Sequence, residues 1–98
     1  MRDIVWLAAA ERDLMRLYDR AEETQGGDAF LDTIQQSVGN LRGFPFIAPT
    51  FTGGIRRLLI SKHPLGVFYA VEGNRVMILR VLDLRQDPQT IRRKLDID

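Results

Sequence analysis

The stretch Gly66-Val67-Phe68-Tyr69-Ala70-Val71-Glu72-Gly73-Asn74-Arg75-Val76-Met77-Ile78-Leu79-Arg80-Val81-Leu82 reads as a tight β-hairpin. Two runs rich in β-branched and aromatic residues flank Gly73-Asn74, a dipeptide suited to a two-residue primed turn with Gly first. Such a turn pairs Glu72 with Arg75. It puts Phe68 and Ala70 on one face with Met77, Leu79 and Val81. Val67, Tyr69 and Val71 then share the other face with Val76, Ile78 and Leu82. Both faces are apolar, whereas a strand with one wet face alternates apolar with polar. The hairpin therefore needs two covers. The expectation is that so short a chain supplies one and another molecule supplies the second.

Upstream of the hairpin, Ile55 to Lys62 reads as a further strand, with Arg56, Leu58 and Ile60 on one side and Ile55, Arg57 and Leu59 on the other. His63-Pro64 begins the connection. Arg42 to Gly54 is the main loop, broken by Gly43, Pro45, Pro49, Gly53 and Gly54. Phe44, Phe46 and Phe51 lie in it and are expected to pin it to the core rather than to stack on nucleobases. Ala8 to about Glu23 is an amphipathic helix, with Leu14, Leu17, Tyr18 and Ala21 on its apolar stripe. Its charged face is read as solvated. Gly26-Gly27 ends it, and Asp28 is the expected N-cap of a second helix carrying Phe30, Leu31, Ile34, Val38 and Leu41. Residues 2–6 form a short first strand. Beyond the hairpin, Asp87-Pro88 matches an N-cap followed by Pro at the first helical position, and Ile91 and Leu95 give the short terminal helix an apolar edge.

The order β-α-α-β-β-β-α, with a helical hairpin packed on an antiparallel β-sheet, is an α+β fold with segregated layers. Residues 1–98 make one domain with one modest core. No apolar run approaches the ~20 residues of a membrane span. The N-terminus lacks a secretion-signal pattern, so a cytoplasmic location with no membrane partner is expected. With no Cys there is no disulfide framework and no thiolate zinc site, and neither metal nor cofactor is expected.

Net charge is only +1, yet residues 1–50 carry five basic and eight acidic side chains and residues 51–98 carry nine and five. Arg makes up 12 of the 14 basic residues. Its planar fork suits carboxylate and phosphate. Arg56, Arg57, Lys62, Arg80 and Arg85 are the candidate target- or partner-binding residues. Arg80 stands out because it sits inside an apolar strand, and a buried guanidinium needs acceptors. Those acceptors come either from this chain or from an acidic partner.

The wording Tyr69-x-Val71, a Gly turn, then Val76-x-Ile78-Leu79-Arg80-Val81-Leu82-x-x-Arg85-x-Asp87 resembles the C-terminal hairpin of the RelE/ParE toxins of bacterial toxin–antitoxin pairs, closer to the ParE branch. The element order along nearly the whole chain resembles them too. The resemblance implies inhibition of DNA gyrase and neutralisation by a small antitoxin. That antitoxin would have a DNA-binding N-terminal part and a C-terminal segment that folds on the toxin in a hetero-oligomer.

The alternative is a RelE-like, metal-independent, ribosome-dependent mRNA endonuclease. Against it, Gly66 stands where that branch often has Arg. After the last strand, only Asp83 and Arg85 stand where it often has His, Tyr or Arg. Arg stays protonated and is a poor general base. His63 reads as a turn residue, Tyr18 and Tyr69 as core, and Asp83 and Asp87 as turn and helix caps. No residue is assigned a catalytic role. A third reading is an antitoxin-binding homologue without toxicity.

Overall fold

The computed structural model describes residues 1–96. Its elements are β1 (Asp3–Trp6), α1 (Ala8–Glu22), α2 (Gly27–Gly39), a 3-10 turn (Asn40–Arg42), β2 (Thr50–Thr52), β3 (Ile55–Leu59), β4 (Leu65–Glu72), β5 (Arg75–Asp83) and α3 (Pro88–Lys94). One five-stranded sheet runs in the order β1-β5-β4-β3-β2. The meander β3-β4-β5 is antiparallel, as the sequence implied, and β1 joins β5 in parallel, which makes the sheet mixed. β2 falls inside the Arg42–Gly54 span expected to be loop. It is three residues long and returns to β3 through Gly53-Gly54, with Gly53 at φ +53°.

The hairpin turn is two residues long and pairs Glu72 with Arg75. Gly73 takes φ +57° and Asn74 does not have positive φ, the pattern of a II′ turn. Pairing is regular to Tyr69↔Ile78 and then shifts, because Phe68 faces Arg80 and Leu79 is an extra residue. This bulge corrects the face assignment. Val81 joins Val67, Tyr69, Val76 and Ile78 under the helices, while Leu82 joins Phe68 on the other side. A bulge moves everything after it to the opposite face.

α1 and α2 cover the inner face with Ala10, Leu14, Leu17, Ala21, Phe30, Ile34 and Val38. Full burial of side chains such as Ile34 and Tyr69 is worth ~1.5–3 kcal/mol each. α2 starts two residues earlier than expected. Gly26 at φ +94° is its N-cap, and Asp28 lies inside the first turn. The two helices close tightly because a Cβ on Gly27 would lie 2.6 Å from the Tyr18 ring.

The second cover comes partly from the chain itself. Asp87 caps α3 by accepting from Gln89 N at 3.2 Å. Ile91 and Leu95 then pack on Phe68 and Leu82, beside Phe51, Ile55 and Leu84. No helix among the described residues is long and apolar enough to cross a membrane.

Candidate partner- and target-binding site

The five candidate cations do not converge. Arg56 and Arg57 are neighbours on β3, so they leave opposite faces. Arg56 Nη1 donates to Ala48 O at 2.7 Å and Phe46 O at 3.3 Å, and its guanidinium lies 5.1 Å from the Phe46 ring centre. Arg57 lies over Phe51, 5.5 Å from the ring centre. Lys62 occupies a tight turn at φ 67° and projects into solvent. β3 ends at Leu59, three residues short of expectation, because Ile60 to His63 forms this turn, with His63 N donating to Ile60 O at 3.3 Å.

Arg80 finds its acceptors within the chain. Its Nε and Nη2 donate to the two carboxylate oxygens of Asp13 at 2.7 and 2.9 Å. Its Nη1 donates to Lys94 O in α3 at 2.9 Å. The hydrogen bond to Asp13 holds the guanidinium more firmly protonated than usual, against the opposing effect of burial. Asp13 is buried at 1% exposure and was not singled out in the sequence. The signal was there, since position 13 sits three after Ala10 and four before Leu17 on the buried stripe.

Arg85 pairs with Asp83 at 2.7 Å. The Arg85 hydrogen bond, helped by Arg20, holds the Asp83 carboxyl below the ordinary range. Around this pair opens a cleft of about 430 Å³, lined by Arg16, Arg20, Arg85, Gln86 and Lys94 among others. Arg16 and Arg20 lie on the charged face of α1 expected to be solvated, yet both line this cleft. Their i,i+4 spacing brings both to one cleft wall.

Two further surfaces matter. On the outer face, Val5, Met77, Ala70 and Ile55 lie in register across β1, β5, β4 and β3. Each is only half-buried. On the inner side, the loop before β2 exposes Phe44 and Phe46, against the expectation that they would pin it. Phe51 does pack, edge-on to Phe68 at 5.2 Å.

The remaining titratable candidates have structural partners. The Tyr69 hydroxyl donates to Pro45 O at 2.8 Å, and burial pushes its pKa up. The Tyr18 hydroxyl donates to Asp28 at 3.1 Å, and that bond raises its pKa. His63 stands edge-on to Phe30 at 5.6 Å. Gly66 gives Leu84 its room, because a Cβ there would lie 2.9 Å from Leu84 Cδ2. Among the described residues, no cluster of three or more His, Cys, Asp or Glu could hold a metal.

This five-stranded sheet with its helical hairpin belongs to a known set. Residues 4–88 match the family described as "ParE toxin of type II toxin-antitoxin system, parDE". The chain belongs to this family of ParE toxins. A solved chain from the chromosomal ParDE TA system of P. aeruginosa superposes with a TM-score of 0.66 at 23% identity, covering 87% of this chain and 98% of that one. At that identity the likeness speaks for the fold. No curated protein matches significantly. The ParE match ends at the first residue of α3, so the outer cover provided by Ile91 and Leu95 lies beyond it.

Proposed function

We propose that this ParE-family toxin acts by binding rather than by chemistry. It arrests growth by inhibiting DNA gyrase, and it is neutralised by an antitoxin segment that folds over the outer face of its sheet. The observation that carries the binding reading is the half-covered row Val5–Met77–Ala70–Ile55 beside α3. An amphipathic segment laid there would complete the cover that α3 begins, ordering itself as it binds. Kinship with ParE toxins supports gyrase as target.

A non-enzymatic role is supported by how the polar groups are used. Cleaving RNA needs a base for the 2′-hydroxyl, an acid for the leaving oxygen and free cations for the phosphate. Here Tyr69 and Arg80 are tied into the fold, and Gly66 is filled over by Leu84.

The test is supercoiling by purified gyrase with the protein added, and again with its cognate antitoxin present. Inhibition that the antitoxin reverses, and that His63→Ala retains, is the expected result. Messenger RNA cut at ribosomal A-site codons, with gyrase unaffected, would replace it by the endonuclease reading.

A further inference from the structure

The loop between the 3-10 turn and β2 is held from beneath and displays its largest side chains. Tyr69 fixes Pro45 O, and Arg56 fixes Ala48 O and Phe46 O. Phe44 N and Ile47 N bond to Asn40 O and Phe44 O at 3.1 and 3.3 Å. Pro45 and Ala48 are the buried members. Between these anchors Phe44, Phe46 and Ile47 remain 67%, 57% and 66% exposed. Small residues do the pinning, and three large apolar ones face water from a fixed backbone. A pre-set loop with a contiguous apolar tip is the signature of a docking surface, because its ordering cost is already met in the free protein.

Charge narrows the occupant. The Arg2 guanidinium lies over Phe46 at 5.5 Å alongside that of Arg56, and Arg2 N donates to Arg42 O at 3.2 Å. Among the described residues none of Arg2, Arg42 and Arg56 pairs with a carboxylate. The tip is therefore apolar with a positive rim. A second copy would bring the same charges and be repelled. Single-stranded nucleic acid stacks successive bases on free aromatic faces, but Phe46 already carries two guanidiniums and Ile47 has no ring, so Phe44 alone offers one. The occupant that fits is an apolar pocket on a protein, rimmed by Asp and Glu.

We infer that the Phe44–Ile47 loop is the element by which this toxin engages its protein target. The inference rests on the reading that the target is a protein. Tyr69 and Arg56, which hold the loop, belong to the helix-covered face, whereas the antitoxin is assigned to the other. The two surfaces are thus separable by mutation.

The experiment compares wild type with Phe44→Ser/Ile47→Ser in gyrase supercoiling and in growth arrest. Both residues are exposed, so the melting temperature and the antitoxin complex should be unchanged. The half-inhibitory concentration should rise about thirtyfold or more, as when a hot-spot pair is lost. Arg42→Glu should weaken inhibition at low salt and approach wild type at high salt, because it alters a rim charge. A double variant as potent as wild type overturns the inference. If wild type arrests growth without touching gyrase, the gyrase reading falls, and the loop is judged by the same thirtyfold criterion on growth arrest. A wild type that does neither removes both. Binding to a single-stranded oligonucleotide that the double variant loses would overturn the inference in favour of base stacking.

Discussion

Asp13 Oδ2 accepts two hydrogen bonds that join side chain to sheet, from Arg80 Nε at 2.7 Å and from the backbone N of Val81 at 3.0 Å. The second bond explains the first. β1 pairs with β5 only as far as Ile78, and Leu7 N closes that ladder on Ile78 O at 3.0 Å. Beyond it the edge of β5 has no neighbouring strand, so Val81 N would be buried without an acceptor. A carboxylate from α1 takes the strand's place. The charge this brings into the core is then balanced by Arg80, with Arg16 adding a bond to Oδ1 at 2.7 Å. Arg80 also reaches Lys94 O, so one guanidinium ties α1, β5 and α3 together.

Removing Asp13 should therefore cost more than removing its partner. Asp13→Ala leaves Val81 N without an acceptor and deprives the largely buried Arg80 guanidinium of its carboxylate, with only Lys94 O remaining, a loss of ~3–5 kcal/mol. Total stability for a domain of this kind is ~5–15 kcal/mol, so the variant should be marginally folded. Asp13→Asn keeps an acceptor for Val81 N and should lose less. Arg80→Met, which keeps the stem and removes the charge, should fall between wild type and Asp13→Ala. Urea denaturation of the three variants gives the order. Arg80→Met as damaging as Asp13→Ala would show that the guanidinium, not the capped edge, dominates.

Gly66→Arg tests why the ribonuclease-like Arg is absent. A Cβ at position 66 would meet Leu84 Cδ2 at 2.9 Å and Arg57 Cγ at 3.2 Å. Leu84 must move, and with it the packing beside α3. The expected loss is ~1–3 kcal/mol, typical of overpacking, with no gain of RNA cleavage. Thermal melting and an RNA digestion assay read the two outcomes separately.

The parts legible in the sequence were those fixed locally. Gly73-Asn74 gave the turn, the helical stripes gave α1 and α2, and Asp87-Pro88 gave the start of α3. The bulge at Leu79 was not legible, because both hairpin faces are apolar and a one-residue slip leaves no hydrophobic mismatch to notice. β2 is too short to show alternation within a Gly/Pro-rich loop. Asp13 does not stand out locally because a charge on a helix is normally solvated, although its spacing puts it on the buried stripe. The same holds for Arg16 and Arg20. Their importance depends on β5 and α3 arriving to make the other walls of the cleft, which no local pattern encodes.

The Asp83–Arg85 pair predicts an acid-side effect. The folded-state pKa of Asp83 is depressed, chiefly by its hydrogen bond from Arg85. A depressed carboxyl stabilises the fold above its unfolded value, near ~3.9, and that stability is lost as pH falls through the folded value. Arg85 is well exposed, so salt should screen the contribution and keep it small. The stability gap between wild type and Asp83→Asn should be flat from neutral pH to about pH 5 and close further into acid. Asn keeps an oxygen to accept the bond from Arg85 N at 2.8 Å, so a gap that persists at the acid end would assign the effect to altered side-chain geometry rather than to charge.

The outer face carries the last prediction. Met77 is half-buried between Val5 and Ala70 in register, outside the part of the face that Ile91 and Leu95 cover. It can take a charge without opening the core, whereas Arg80 cannot, because Arg80→Glu would set a second carboxylate against Asp13. Weakened partner binding in Arg80→Glu would therefore mix folding with recognition. Met77→Glu isolates recognition. If an acidic antitoxin segment lies along the Val5–Met77–Ala70–Ile55 row, the new carboxylate both repels it and leaves a charge in an apolar contact. Affinity should fall by ~2 kcal/mol or more, about thirtyfold in Kd. Arg12→Glu, on the exposed side of α1, should change it little. Titration calorimetry on each variant with the cognate antitoxin, beside a melting curve for each, reads both quantities. Equal Kd values for Met77→Glu and Arg12→Glu would move the antitoxin off this face, and the basic cleft at Arg16, Arg20 and Arg85 would be the next surface to mutate.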